Sequence, residues 1–137
     1  EAPGYLNIRI STIDSKDAKA NTLTDGVLIR RPNEKEIYVI SGKYKRYLTS
    51  EVILMYGHLD PANAIEIASD IFDSYITSNY AKYVGDEKVY AVWPDSTKHW
   101  LNITPQQWDA SHRDWNAIFT INEREADYYR TGAEIRN

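Results

Sequence analysis

Residues 38–75, YVISGKYKRYLTSEVILMYGHLDPANAIEIASDIFDSY, and residues 90–128, YAVWPDSTKHWLNITPQQWDASHRDWNAIFTINEREADY, state one pattern twice. Ile37-Tyr38-Val39-Ile40 is answered by Val89-Tyr90-Ala91-Val92, and Lys45-Arg46-Tyr47-Leu48 by Lys98-His99-Trp100-Leu101. His58-Leu59-Asp60 returns as His112-Arg113-Asp114, Asn63-Ala64-Ile65 as Asn116-Ala117-Ile118, and Asp73-Ser74-Tyr75 as Ala126-Asp127-Tyr128. The offset is 52 residues from Tyr38 to Tyr90, 54 from His58 to His112 and 53 from Tyr75 to Tyr128. Order and spacing persist together, which is the mark of a duplicated supersecondary unit of about fifty residues.

Each copy reads as short strands and short helices. In the first, residues 26–30, 37–40 and 44–48 are β-prone, and Ser41-Gly42-Lys43 between the last two makes a hairpin. Thr49 or Ser50 caps a helix over residues 51–56 that Gly57 ends. A brief strand at 64–67 follows, then a helix capped by Ser69 or Asp70 that runs to Tyr75. In the second copy the strands fall at 82–84, 89–93, 99–103 and 118–121. Thr104 caps a helix with Pro105 at its first position, where a missing N–H costs nothing, and Asn122 caps the last helix without a capping-box partner.

The predicted fold class is α+β: two tandem hairpin-plus-helix units, residues 25–80 and 81–137, preceded by a strand and linker over residues 1–24. A unit of this size buries too small a fraction of its surface to stand comfortably alone. With no cysteine in the chain, no disulfide can staple it. The copies are therefore expected to pack on each other. Ahead of them, Tyr5-Leu6-Asn7-Ile8-Arg9-Ile10 alternates apolar and polar, as a half-buried strand does. Joined by a polar tether, it can complete its own sheet or reach a neighbouring subunit through Tyr5, Leu6, Ile8 and Ile10.

Charge and composition narrow the function classes. A formal net charge of −4 argues against nucleic acid, whose phosphates need a basic face. No apolar run reaches membrane-spanning length. The start at Glu1-Ala2-Pro3-Gly4 fits a mature terminus after signal removal, and equally a shortened chain. No nucleophile elbow, phosphate loop, dinucleotide fingerprint or zinc-protease helix is present, and no cofactor is expected.

Three sets of residues are candidates for a site. The repeated pairs His58/Asp60 and His112/Asp114 have metal-ligating or base-and-orienter chemistry, and a pseudo-twofold axis would bring them into one site. The structural alternative puts each histidine at a helix end and each aspartate at the start of a turn. The second set is aromatic. The chain holds eleven Tyr, four Trp and two Phe, and Trp93, Trp100, Tyr44 and Tyr47 would form a stacking platform for sugars. Trp108 and Trp115 are assigned to the core, and His99, which replaces Arg46, to a solvent-facing or lightly charged position rather than a catalytic one. The third is Asn102-Ile103-Thr104, an N-glycosylation sequon.

The chain resembles tandem repeats of about fifty residues in uncharacterised secreted and cell-surface bacterial proteins. The residues carrying the likeness are Asp25-Gly26-Val27-Leu28-Ile29-Arg30, Ile37-Tyr38-Val39-Ile40, Lys45-Arg46-Tyr47-Leu48, Tyr56-Gly57-His58 and Asp73-Ser74-Tyr75. Val84-Gly85-Asp86-Glu87-Lys88-Val89-Tyr90 and Thr131-Gly132-Ala133 continue it in the second copy. The resemblance implies a non-catalytic surface module and carries over no functional residue. The expected function is an extracellular or cell-surface structural or adhesive module that self-assembles through its N-terminal strand. Its partners would be other copies or neighbouring surface proteins. The alternative is a cell-wall or carbohydrate-binding module, with a metal-dependent hydrolase behind both.

Overall fold

The computed structural model describes residues 23–136. The expected N-terminal strand lies outside the described residues. The first copy contains β1 (Leu28–Arg30), β2 (Ile37–Ser41), β3 (Tyr44–Leu48), α1 (Ser50–Ile53), β4 (Ile65–Glu66), α2 (Ser69–Ser74) and β5 (Ile76–Thr77). The second repeats the order with β6 (Tyr80–Tyr83), β7 (Tyr90–Val92), β8 (Thr97–Trp100), α3 (Pro105–Ala110), β9 (Ile118–Ile121), α4 (Glu123–Tyr128) and β10 (Arg130–Thr131). A single 3₁₀ turn precedes β4 (Pro61–Asn63) and another precedes β9 (Trp115–Ala117).

Each copy builds a five-stranded sheet of the same topology. Sheet 1 runs β4-β1-β2-β3-β5 and sheet 2 runs β9-β6-β7-β8-β10. The three central strands are antiparallel, and each outer strand lies parallel to its neighbour. The fold is thus α+β, with two similar units packed together.

The drift in offset has a local cause. The first hairpin turns on Gly42 and Lys43, Ser41 pairing with Tyr44, and Gly42 has φ 58°. This is the positive-φ first position at which a type II′ turn takes glycine. The second hairpin turns on three residues, Pro94-Asp95-Ser96, because Trp93 N–H donates to Thr97 O, and Ser96 takes the left-handed position at φ 65°. One extra loop residue moves the offset from 52 to 53. After the α1 and α3 segments it is 54, from Asp60 and Asp114 onward, and it stays there. The counterpart of Tyr75 is therefore Tyr129, not Tyr128: Tyr75 and Tyr129 are the buried residues that end α2 and α4.

Several caps form where expected. Thr49 and Thr104 accept from Val52 N–H and Gln107 N–H, Gln107 closing a capping box, and Asn122 accepts from Glu125 N–H. The cap of α2 is Ala68, which offers no side-chain bond, rather than Ser69 or Asp70. The helix α1 ends at Ile53, short of Gly57. The strand β6 begins two residues early and straddles the expected boundary between residues 80 and 81.

The repeated Lys-x-aromatic-Leu of β3 and β8 has a structural purpose. The Lys45 ammonium donates to the carbonyls of Phe72 (2.9 Å) and Tyr75 (2.8 Å) at the end of α2, and Lys98 donates to Ala126 O (2.7 Å) in α4. A cation there bonds to carbonyls at the negative end of the helix. Burial pulls the Lys45 ammonium below its ordinary pKa.

Register fixes which face meets what. Ile29, Tyr38 and Tyr47 lie side by side on one face of sheet 1, while Leu28, Val39 and Arg46 share the other. The first face is closed by α2, through Ile71, Phe72 and Tyr75 against Ile29 and Ile40. The second is closed by the other copy: Tyr129 packs with Leu28, Leu48, Val52 and Ile53, and Phe119 and Ala117 pack with Tyr44. In sheet 2 it is the α4-bearing face, with Ala81, Ile121 and Ala126, that turns towards the first copy. The copies therefore meet through non-equivalent surfaces, head to tail. Each fully buried apolar side chain at such a junction contributes about 1.5–3 kcal/mol.

Candidate functional site at the junction of the copies

The most concentrated polar chemistry among the described residues lies between the two copies. Arg46 on β3 is 5% exposed and Glu125 on α4 is 0% exposed. The Arg46 guanidinium reaches both carboxylate oxygens, Nη1 to Oε1 at 3.4 Å and Nη2 to Oε2 in a close ion pair. Tyr56 OH donates to Oε1, Tyr129 OH donates to Oε2, and Arg46 Nη2 also reaches Tyr129 OH at 3.1 Å. Asn122 ties the network to the backbone: its N–H donates to Tyr56 OH (3.0 Å) and its amide to Met55 O (2.9 Å).

A buried carboxylate without partners would be costly; here each oxygen accepts from an arginine and a tyrosine. Burial lowers the Arg46 guanidinium from its ordinary pKa, yet arginine retains its proton in a folded protein. Burial pushes the Tyr56 and Tyr129 phenols up, so both remain hydroxyl donors well past neutral pH. The result is a closed, fully protonated set of donors around one anion. Its chemistry suits fixing the register of two units rather than moving protons. Sequence reasoning missed Glu125. The signal that could have found it is a lone Glu at an inward helix position whose counterpart is Ile71.

A second polar junction lies nearby in the sequence of contacts. Tyr44 OH donates to Asp114 Oδ2 (2.6 Å), and Lys43 lies 3.9 Å from the same oxygen. The hydrogen bond to Asp114, with burial behind it, pushes the Tyr44 phenol up to about 12. The same bond, helped by Asn116 N–H, holds the Asp114 carboxyl below its ordinary range. Ser78 OH adds a third tie, donating to Ala117 O at 2.6 Å.

The expected His-x-Asp site does not assemble. Asp60 and Asp114 cap the two 3₁₀ turns, each accepting an N–H at 2.9 Å from Ala62 and Asn116. His112 ends α3 in the left-handed conformation, φ 61°. His58 lies on the rim of an open groove with Tyr56, Tyr83, Val84 and Glu123. Among the described residues no three His, Cys, Asp or Glu side chains are grouped so as to hold a metal. Head-to-tail packing is the reason, because a shared site needs equivalent surfaces to meet.

The expected aromatic platform is also dispersed. Tyr44 is buried and its hydroxyl is held by Asp114. Tyr47 is exposed beside Tyr38 on sheet 1. Trp93 is 44% exposed and stacks on His99 at 3.5 Å, whereas Trp100 lies on the opposite face of sheet 2 under Lys88. Trp108 is in the core, as expected, in the place that Ile53 holds in the first copy. Trp115 is not: it is 48% exposed, lying against Trp108 and donating Nε1–H to Asp109.

His99 is buried rather than solvent-facing. Its Nδ1 meets Ala133 O and its Nε2 meets Thr97 Oγ1, both at 2.7 Å. The Asn102 amide of the sequon donates to Glu134 (2.6 Å), and Thr104 is the cap of α3. Among the described residues no helix is long and apolar enough to cross a membrane. No protein-family model, no curated protein and no solved structure matches this chain.

Proposed function

We propose that this chain is a non-enzymatic extracellular module, a structural or adhesive unit of a cell surface that assembles with further copies of itself. One observation carries the reading. Arg46, Glu125 and Tyr129, all buried, and the half-buried Tyr56 on the wall of the open groove spend their polar atoms on one another across the seam between the copies. A head-to-tail seam supports it too, since heterologous contacts are the kind that extend rather than close. Light scattering on the full chain and on a chain lacking residues 1–13 tests the reading. Assemblies that disappear with the arm support it; monomers in both samples reject it.

A second reading, binding of cell-wall glycan, is favoured by Trp93, whose exposed ring is fixed in plane by its stack on His99 (3.5 Å, interplanar 24°). A rigid, half-exposed tryptophan is a stacking surface for a sugar ring. Tryptophan fluorescence that a soluble polysaccharide leaves unchanged would remove that reading.

A further inference from the structure

His99 stands in the middle of a short chain of hydrogen bonds that ties the second hairpin to the C-terminal segment. Its Nδ1 faces Ala133 O and its Nε2 faces Thr97 Oγ1, both at 2.7 Å. Beyond it, the Thr97 hydroxyl donates to Asp95 Oδ1 at 2.5 Å, and Thr97 N–H donates to the same oxygen at 3.2 Å. One face of the imidazole stacks on Trp93, and Gly132 passes over the ring. The residue is 5% exposed, so little solvent reaches it to replace a missing partner.

The chain holds one proton too few for a neutral ring. A carbonyl only accepts, so Nδ1 carries a hydrogen to bond Ala133 O, and in a neutral imidazole Nε2 is then an acceptor. The single proton of the Thr97 hydroxyl is claimed by both Nε2 and the Asp95 carboxylate. One of those two contacts is left with acceptor facing acceptor. Asp95 does not make up the deficit: the Thr97 hydroxyl, ahead of the Thr97 N–H, holds its carboxyl below the ordinary range.

A second proton on the ring settles the conflict. Nε2–H donates to Thr97, Thr97 donates to Asp95, and Nδ1–H donates to Ala133 O. Burial opposes the charged ring, while the indole face and the carboxylate beyond the hydroxyl favour it. The other charged groups around the chain are engaged elsewhere. Arg130 on β10 donates to Asp95 O, Lys98 on β8 turns to Ala126 O on the opposite face, and Glu134 in the C-terminal segment holds Asn102 and Arg136.

The segment so tied covers a sheet edge. Gly132 N–H donates to Lys98 O and Ile135 N–H to Trp100 O, while Asn102 N–H donates to Ile135 O. Residues 132–135 therefore continue along β8 past the end of β10. Without them, β8 would show its own unpaired backbone, the kind of edge that other strands join.

We infer that His99 is a proton-operated latch: a proton taken up by the ring completes the chain from Asp95 to Ala133 and pins residues 132–135 along β8, and its loss loosens them. The latch goes beyond the self-assembly reading and does not depend on it.

Amide exchange on the full chain, at pH values on either side of ~6.5 where a free imidazole changes charge, tests it. Corrected for intrinsic rates, Gly132 N–H and Ile135 N–H should exchange at least about tenfold more slowly on the acid side, the effect of one charge-assisted hydrogen bond. Ile76 N–H in the first copy, bonded to Lys43 O, should show no such change. Thr97→Val keeps the branched shape, removes the hydroxyl and should abolish the difference. Asp95→Ala, at an exposed loop position, frees the hydroxyl for the neutral ring and should shrink it. Nitrogen-15 shifts of the His99 ring should report hydrogens on both nitrogens on the acid side and on one on the alkaline side. Equal protection of Gly132 and Ile135 at the two pH values would overturn the latch. So would a difference that survives in both variants, which would assign it to His58 or His112.

Discussion

The Arg46 guanidinium, on a strand of the first copy, forks onto both carboxylate oxygens of Glu125, on the last helix of the second, 79 residues further along the chain. Its counterpart by position, His99, meets no carboxylate of that kind; it clamps the C-terminal segment through Ala133 O. In both copies, then, the residue after the helix-capping lysine secures whatever element comes next. In the first copy that is the other copy, and in the second it is the chain's own end. The divergence is what makes the two units unequal partners.

Gly132 passes directly over the His99 ring, and a Cβ there would lie 2.2 Å from Cε1. The ring cannot retreat, being stacked on Trp93 at 3.5 Å. Gly132→Ala is expected to destabilise by about 1–3 kcal/mol, the range of overpacking in a filled site. Gly57→Ala, with nothing within 4 Å of its new methyl, should leave the urea midpoint almost unchanged. Equal midpoints for the two variants would contradict the clamp.

The tyrosines should titrate in two groups. Tyr44 and Tyr90 are both pushed up to about 12, Tyr44 first by its bond to Asp114 and Tyr90 first by burial with Asp86 behind it. A free phenol ionises near ~10, so the unfolded chain loses these protons before the folded one does. Their contribution to stability is whole below about pH 10 and falls as pH rises towards 12. Phenolate absorbance should show both among the last tyrosines to ionise, and Asp114→Asn should bring Tyr44 down while leaving Tyr90 in place.

Lys45 bridges two helix carbonyls from a buried position. Replacing it with Met keeps the stem and removes the charged bonds to Phe72 O and Tyr75 O, at a cost of about 1–3 kcal/mol. Hydrogen exchange at Ile76 N–H and Ser78 N–H, which bond to Lys43 O and Lys45 O, should accelerate most. Uniform acceleration over both sheets would mean that the lysine does not act locally.

Trp108 and Trp115 touch at 4.8 Å yet differ in burial, 2% against 48% exposed. Trp108→Ala is expected to cost about 3–5 kcal/mol. Trp115→Ala should cost much less, because one side of its ring already faces water. Chemical denaturation of both variants checks the order; the reverse order would place the core elsewhere.

What the sequence disclosed was whatever is decided locally. The caps Thr49, Thr104 and Asn122, the Gly42 hairpin and β9 all follow from residues within a few positions of one another. The duplication was legible because the pattern survives a two-residue drift in offset, taken up at the hairpin and after its third strand. Less visible were β5 and β10, two-residue strands that exist only because β3 and β8 offer them parallel partners. His99 and Trp115 were misplaced for the same reason. Burial of the first depends on Trp93 and the C-terminal segment, and exposure of the second on where α3 stops. Glu125 was hidden because its meaning lies in Arg46, and a carboxylate's fit to a distant guanidinium leaves no periodic trace.

The central claim is that the seam between the copies is held by a buried ion pair whose members need each other. Arg46→Met, Glu125→Leu and the double variant, compared by urea denaturation, test it most directly. Each single change should cost about 3–5 kcal/mol, because the remaining charge is left buried without its partner. The double variant should be more stable than either single one, giving a large coupling energy. Single variants within ~1 kcal/mol of the parent chain, or losses that simply add in the double variant, would contradict the claim.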